Sequence, residues 1–198
     1  MGLELIYEKG QTPLSEEEML GLKLPSVTTK GELDEVEQLN IEQAIIWTLG
    51  KSLTAKKLLS IDYVQQLHKR MYGDVWSWAG AFRQSEKNIG VPSYSIYLEV
   101  QKLLDDAMYW YENDLYDPQT FCITLKHRLV SIHCFPNGNG RHSRLYADLL
   151  HTHIYAMQHF SWRGSSLSHA SNERNAYLTA LKKADRGDID DLIEFAMS

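Results

Sequence analysis

The sequence predicts a mostly α domain, with a helical core and a single short β-hairpin. Three observations carry that prediction. Apolar residues recur at helical spacing along most of the chain, and cap and stop residues fall at the segment ends. Strand-type alternation is confined to the stretch between Trp76 and Pro92. Finally, 198 residues at 43% apolar suffice for one sizeable core and are too few for two ordinary domains.

Residues 1–32 are expected to form an irregular N-terminal arm with one short helix. Ser15 followed by Glu18 has the form of a capping box. The main domain is expected over 33–198. Its first helix is predicted from about Leu33 to Leu49, with Leu39, Ala44, Ile45, Ile46 and Trp47 as the apolar face and Gly50 as the stop. A second is predicted from Ser60 to Tyr72, where Tyr63, Val64, Leu67 and Met71 share a face. The hairpin is placed at Ile89-Gly90-Val91-Pro92. Helices follow over Ser95 to Asn113 and Pro118 to Ile132, the latter capped by Asp117 with proline at its first position. After a Gly-Asn-Gly turn, another helix begins near Asn139 or Gly140 and continues through Leu145, Leu149, Leu150 and Ile154 to about His159. Two more are expected over Ser171 to Ala184 and Asp188 to Ala196.

Twenty basic against 26 acidic residues, net −6, argue against a broad electrostatic footprint for nucleic acid, so any phosphate contact must be local. Two cysteines, Cys122 and Cys134, suggest a reducing compartment rather than a disulfide scaffold. The expectation is a cytoplasmic protein. Met1 to Gly10 lacks the form of a cleavable leader, and no run approaches the length of a membrane span.

The chemistry concentrates in residues 133–144, His-Cys-Phe-Pro-Asn-Gly-Asn-Gly-Arg-His-Ser-Arg. A Gly-Asn-Gly turn opening a helix leaves backbone N–H groups unpaired at the positive end of the helix dipole, which is an anion site. Arg141 and Arg144 are three apart on that helix and can both reach an anion over the turn. Two arginines with a backbone nest suit a polyphosphate. His133, on the other side of the turn, can accept a proton from an incoming hydroxyl. Taken singly, each feature has an ordinary structural reading: a glycine cap, a core histidine, a solvated arginine pair. Their coincidence within twelve residues points to phosphoryl or nucleotidyl transfer.

This stretch resembles the signature of the Fic (filamentation induced by cAMP) family, His-x-Phe-x-(Asp/Glu)-Gly-Asn-Gly-Arg-x-x-Arg. The loop from Trp78-Ala79-Gly80 to Arg83, the segment at Ile89-Gly90 and the stretch Tyr177 to Asp188 are also similar to Fic elements. The resemblance implies a Fic-type helical core with a β-hairpin flap. It implies a protein adenylyltransferase that uses ATP and Mg²⁺ to modify a Ser, Thr or Tyr hydroxyl. In that reading His133 is the base. Gly138, Asn139, Gly140 and Arg141 hold the phosphates, Arg144 holds the terminal one, and Phe135 anchors the loop. Ile89, Gly90 and Val91 form the flap that docks the target as an added strand. Asn137 stands where the family places a metal-binding Asp or Glu. A neutral amide is a weak magnesium position.

The wording Phe-Pro-Asn-Gly-Asn-Gly-Arg-His, with Thr28 to Leu33 upstream, is similar to a small bacterial branch called mobile mystery protein B. That likeness implies a helix-turn-helix partner protein. Many Fic proteins carry an inhibitory Ser/Thr-x-x-x-Glu helix whose Glu pairs with the second motif arginine. The bare spacing occurs at Thr12 to Glu16, Thr28 to Glu32 and Ser95 to Glu99, and position favours Glu32 as the regulatory candidate. His151 and His153 lie two apart and face away from each other on a helix, which argues against zinc. Two alternatives stand beside the adenylyltransferase. One is a module that binds nucleotide or a partner with little catalysis. The other is an enzyme that moves another phosphate-containing group or removes AMP.

Overall fold

The protein, described by a computed structural model over residues 12–164 and 172–198, is built from helices around one core. In chain order they are α1 (Glu16–Met19), α2 (Lys30–Thr48), α3 (Ala55–Leu58), α4 (Ile61–Tyr72), α5 (Ile96–Glu112), α6 (Pro118–Ile132), α7 (Asn139–His153), α8 (Asn172–Ala184) and α9 (Asp190–Met197). The first eleven residues of the expected arm, and Ser171 at the expected start of α8, lie outside the described residues. No helix among the described residues is long and apolar enough to cross a membrane.

Local chemistry explains the helix starts. Ser15 with Glu18, and Thr29 with Glu32, close reciprocal capping boxes on α1 and α2. Ser60 caps α4 through the Tyr63 N–H, and Asp117 caps α6 with Pro118 behind it. In the core α7 packs between α6 and α4, α2 lies on α4, α5 on α6, and α8 on α9. Val64, Leu67, Leu125, Phe135 and Leu150 are fully excluded from water, each contributing roughly 1.5–3 kcal/mol. The short α3 leaves no periodic trace in the sequence, because four residues span barely one turn.

Three expectations are corrected. First, Ile89-Gly90-Val91 is an irregular loop rather than a β-hairpin, and β-pairing among the described residues is confined to isolated bridge positions at Leu22, Thr29 and Trp76, of which Leu22 pairs with Trp76. The loop's backbone groups bond to the motif instead of to each other. Arg83 N–H donates to the Cys134 carbonyl at 2.9 Å, and Val91 N–H to the Ile132 carbonyl at 3.2 Å. Second, α7 stops at His153, short of His159. Asp148 Oδ1 accepts from Phe160 N–H (3.0 Å) and Trp162 Nε1 (3.1 Å), which turns the chain back onto the helix. Third, the buried face of α2 is Leu33, Glu37, Asn40, Ile41, Ala44 and Thr48, whereas Leu39, Ile46 and Leu49 are exposed. Three of those buried positions are polar because they have partners, Thr48 through its hydroxyl on the Ile45 carbonyl. Asn40 bonds the Arg70 carbonyl and the Asp74 backbone, and Glu37 serves the site described next.

Candidate active site

The motif occupies the turn between α6 and α7. His133 ends α6 in the left-handed conformation (φ 55°, ψ 55°), a strain of order 1 kcal/mol for a residue with a Cβ. That conformation ends α6 and turns the chain out of the helix. The ring is buried, and its Nε2 has no hydrogen-bond partner. Burial, then the charges of Arg83 and Lys87, push its pKa down to about 4, with only the Val130 backbone pulling it up. The ring is therefore neutral at physiological pH, with a bare nitrogen able to take a proton.

The intervening loop is stapled from within. Asn139 Oδ1 accepts the Phe135 N–H at 2.9 Å while its Nδ2 donates to the Phe135 carbonyl at 2.8 Å. Asn139 was expected among the phosphate ligands, yet its side chain is committed to the loop, which leaves only its backbone N–H to face an anion. Phe135 is fully buried and stacks on His68 at 3.7 Å, the position expected of a core anchor. His68 itself bridges the site: Nε2 meets the Asn137 carbonyl and Nδ1 accepts the Gly80 N–H.

Gly138 is the N-cap of α7 with φ 77°, and no side chain caps the helix. A Cβ at Gly138 would lie 2.6 Å from the Tyr72 ring, so both the backbone and the packing require glycine there. At Gly140 a Cβ would meet nothing within 4 Å. The mouth of the turn is thus open, and the first N–H groups of a fifteen-residue helix face into it.

Arg141 and Arg144 leave α7 in different directions. Arg141 lies over the Tyr72 ring and donates to Glu37 Oε2 at 2.6 Å. Arg144 lies against the Tyr177 ring of α8. Tyr177 also accepts from the fully buried Lys126. The regulatory candidate Glu32 sits elsewhere: exposed, its carboxylate takes the N–H groups of Thr28 and Thr29, which hold it below the usual carboxylate range. The carboxylate that meets a motif arginine is Glu37, which sequence reasoning left out of the site. Its only signal was a charged residue in register with buried positions of α2.

Asn137 does not fit a magnesium ion. Its Oδ1 accepts the Gly138 N–H at 2.6 Å, and its Nδ2 donates to the Thr12 carbonyl at 3.2 Å, so a divalent ion would find one neutral oxygen already in use. Among the described residues no group of three or more His, Cys, Asp or Glu side chains could hold a metal ion. Asn137 instead ties the arm to the motif. The arm is held further by Lys87, which donates to the Pro13 carbonyl and pairs with Glu18, and by Trp78 Nε1 on the Glu18 carbonyl.

Comparison with known proteins places this geometry. The model of the Fic/DOC family matches residues 58–151. Fic-1 from C. elegans is similar over 90% of this chain and 50% of its own length, at 22% identity and a TM-score of 0.64. A Fic domain containing signaling protein from Bacteroides thetaiotaomicron is similar over 82% of this chain and 64% of its own, at 16% identity and a TM-score of 0.59. BepC from Bartonella tribocorum, solved with bound AMPPNP, is similar over 96% and 93%, at 17% identity and a TM-score of 0.60. The chain thus spans half the length of the C. elegans protein and under two thirds of the Bacteroides one.

Proposed function

Since the chain belongs to the Fic/DOC family through residues 58–151, we propose that it transfers AMP from ATP to a hydroxyl of a target protein or of itself. One observation carries the reading: a buried neutral histidine whose Nε2 has no partner stands at one end of a turn whose other end is an open, uncapped helix N-terminus. The helix N–H groups, Arg141 and Arg144 receive the phosphates. The acceptor hydroxyl gives its proton to His133 Nε2, and its oxygen bonds to the α-phosphorus. The bond from that phosphorus to the bridging oxygen breaks, and pyrophosphate leaves with the electron pair. Each half of the step uses a group already in place. BepC with bound AMPPNP supports a nucleoside triphosphate as the donor.

The test is AMP incorporation from labelled ATP by the full chain, read by intact-mass spectrometry. His133→Ala is expected to reduce transfer by roughly 10²-fold to 10⁴-fold and to leave ATP binding by calorimetry within a few-fold of the parent. Equal transfer by His133→Ala removes His133 as the base. Transfer absent from the parent while ATP still binds favours a nucleotide-binding module.

A further inference from the structure

Arg83 is the most deeply buried guanidinium in the site, 1% exposed, and among the described residues it makes no ion pair with a carboxylate. Its charge is met by three backbone carbonyls. Nε donates to His133 at 2.7 Å, Nη1 to Ser85 at 2.8 Å and Nη2 to Val91. Those carbonyls belong to the base itself and to the two ends of the 85–91 loop. The loop lies directly on the base: a Cβ at Gly90 would be 2.6 Å from His133 Cβ and 2.9 Å from Arg83 Nη2.

We propose that Arg83 is a positioning residue that clasps His133 and the 85–91 loop into one unit, so that the base and the loop lying on it hold their places together. The inference rests on the reading of His133 as the base. The physical case has two parts. A planar fork of fixed N–H groups that is never deprotonated fixes the orientation of the His133 carbonyl. It thereby holds the left-handed backbone (φ 55°) that aims the imidazole. The same fork closes the loop at both ends, so the loop cannot move away from the ring without leaving a buried cation unmatched. The charged groups acting on the ring are Arg83 and Lys87, both cationic, and both disfavour a second proton on it.

The test uses the full chain and compares the parent with Arg83→Lys and Arg83→Met. The His133 ring is titrated by NMR, its signal assigned with His133→Gln, and amide exchange is followed over residues 85–92. Arg83→Lys keeps the charge and loses the fork. Exchange over 85–92 is expected to rise roughly tenfold or more, with the His133 titration little changed. Arg83→Met loses both, so exchange rises likewise and the His133 midpoint climbs by about one unit. Parent-like exchange and titration in a folded Arg83→Met overturn the proposal. Where Arg83→Met does not fold, parent-like exchange in Arg83→Lys overturns it. Neither readout needs catalysis. Absent AMP transfer together with these shifts therefore counts against the transferase reading and leaves the clasp standing.

Discussion

The carboxylate of Glu37, on α2, meets the guanidinium of Arg141, on α7, at 2.6 Å while its other oxygen accepts the Trp76 indole N–H at 2.6 Å. Glu37 is 4% exposed, whereas about a third of the Arg141 side chain is in contact with solvent. The pair therefore holds the arginine in place and also neutralises part of the charge it presents to the turn.

Glu37→Gln is expected to keep an acceptor for Trp76 and to remove the negative charge beside Arg141. ATP should bind several-fold more tightly, read by calorimetry. Glu37→Ala leaves Trp76 Nε1 unpaired in the core and should lower stability by about 2 kcal/mol, read by urea unfolding. Weaker ATP binding in Glu37→Gln would show that orientation of Arg141 outweighs neutralisation.

Gly138 and Gly140 look equivalent in the motif but differ in surroundings. Gly138→Ala strains a positive φ and drives a methyl into Tyr72, so a loss of roughly 2 kcal/mol or more is expected. Gly140→Ala sits in a helix with nothing nearby and should raise stability by about 0.5–1 kcal/mol. ATP binding should weaken, because the methyl occupies the open mouth of the turn. Thermal melts with and without ATP separate the two. Unchanged ATP affinity in Gly140→Ala would move the anion away from the turn.

Asn137→Asp keeps the oxygen that accepts from Gly138 and replaces the donor to Thr12 with an acceptor. Two oxygens would then face each other. The arm is expected to loosen, with faster amide exchange over residues 12–20 and a stability loss of about 1 kcal/mol. Unaltered exchange there would mean that Glu18 and Lys87 hold the arm without Asn137.

The buried histidines predict an acid limit. His133 and His142 both have pKa values pushed down to about 4, mainly by burial, and burial also drives His68 well below its ordinary value. From the ordinary value near 6.5 down to about 4, the unfolded chain binds more protons than the folded one. Stability is therefore full above about pH 6.5 and falls with acidification through about pH 4. Asp148, raised by burial to about 6, has the opposite sign, favouring the folded state below its ordinary range and losing that contribution as pH rises through about 6. Three histidines outweigh one aspartate. Urea unfolding between pH 7 and pH 4 should show the decline, and His133→Gln should reduce its slope by about one proton. An identical slope in that variant would contradict a neutral buried His133.

Much of this was legible in the sequence, for an identifiable reason. Caps, stops and helical periodicity act over three to four residues, so Ser15, Ser60, Asp117 and Pro118 mark helix starts from their own chemistry, whereas the Thr29–Glu32 box that starts α2 at Lys30 went unread and the helix was expected from Leu33. The twelve-residue motif displays its glycine turn, its two arginines and its histidine without help from the rest of the chain. Where the reading failed, distant partners had overridden local pattern. Glu37 and Asn40 are buried because Trp76, Arg141, Arg70 and Asp74 bond them, so the apolar count along α2 pointed to the wrong face. The Ile89 to Pro92 stretch was expected as a hairpin, but Val91 bonds to the end of α6 and to Arg83.

The sequence by itself determined the helical class, the order of most elements and the position of the glycine turn between α6 and α7. Tertiary structure decided which residues complete that turn. Arg83 reaches His133 across 50 positions, Glu37 reaches Arg141 across 104 and Asn137 reaches Thr12 across 125. Contacts over such separations exist only once the core has closed, because packing, and not local propensity, places those side chains within hydrogen-bond range.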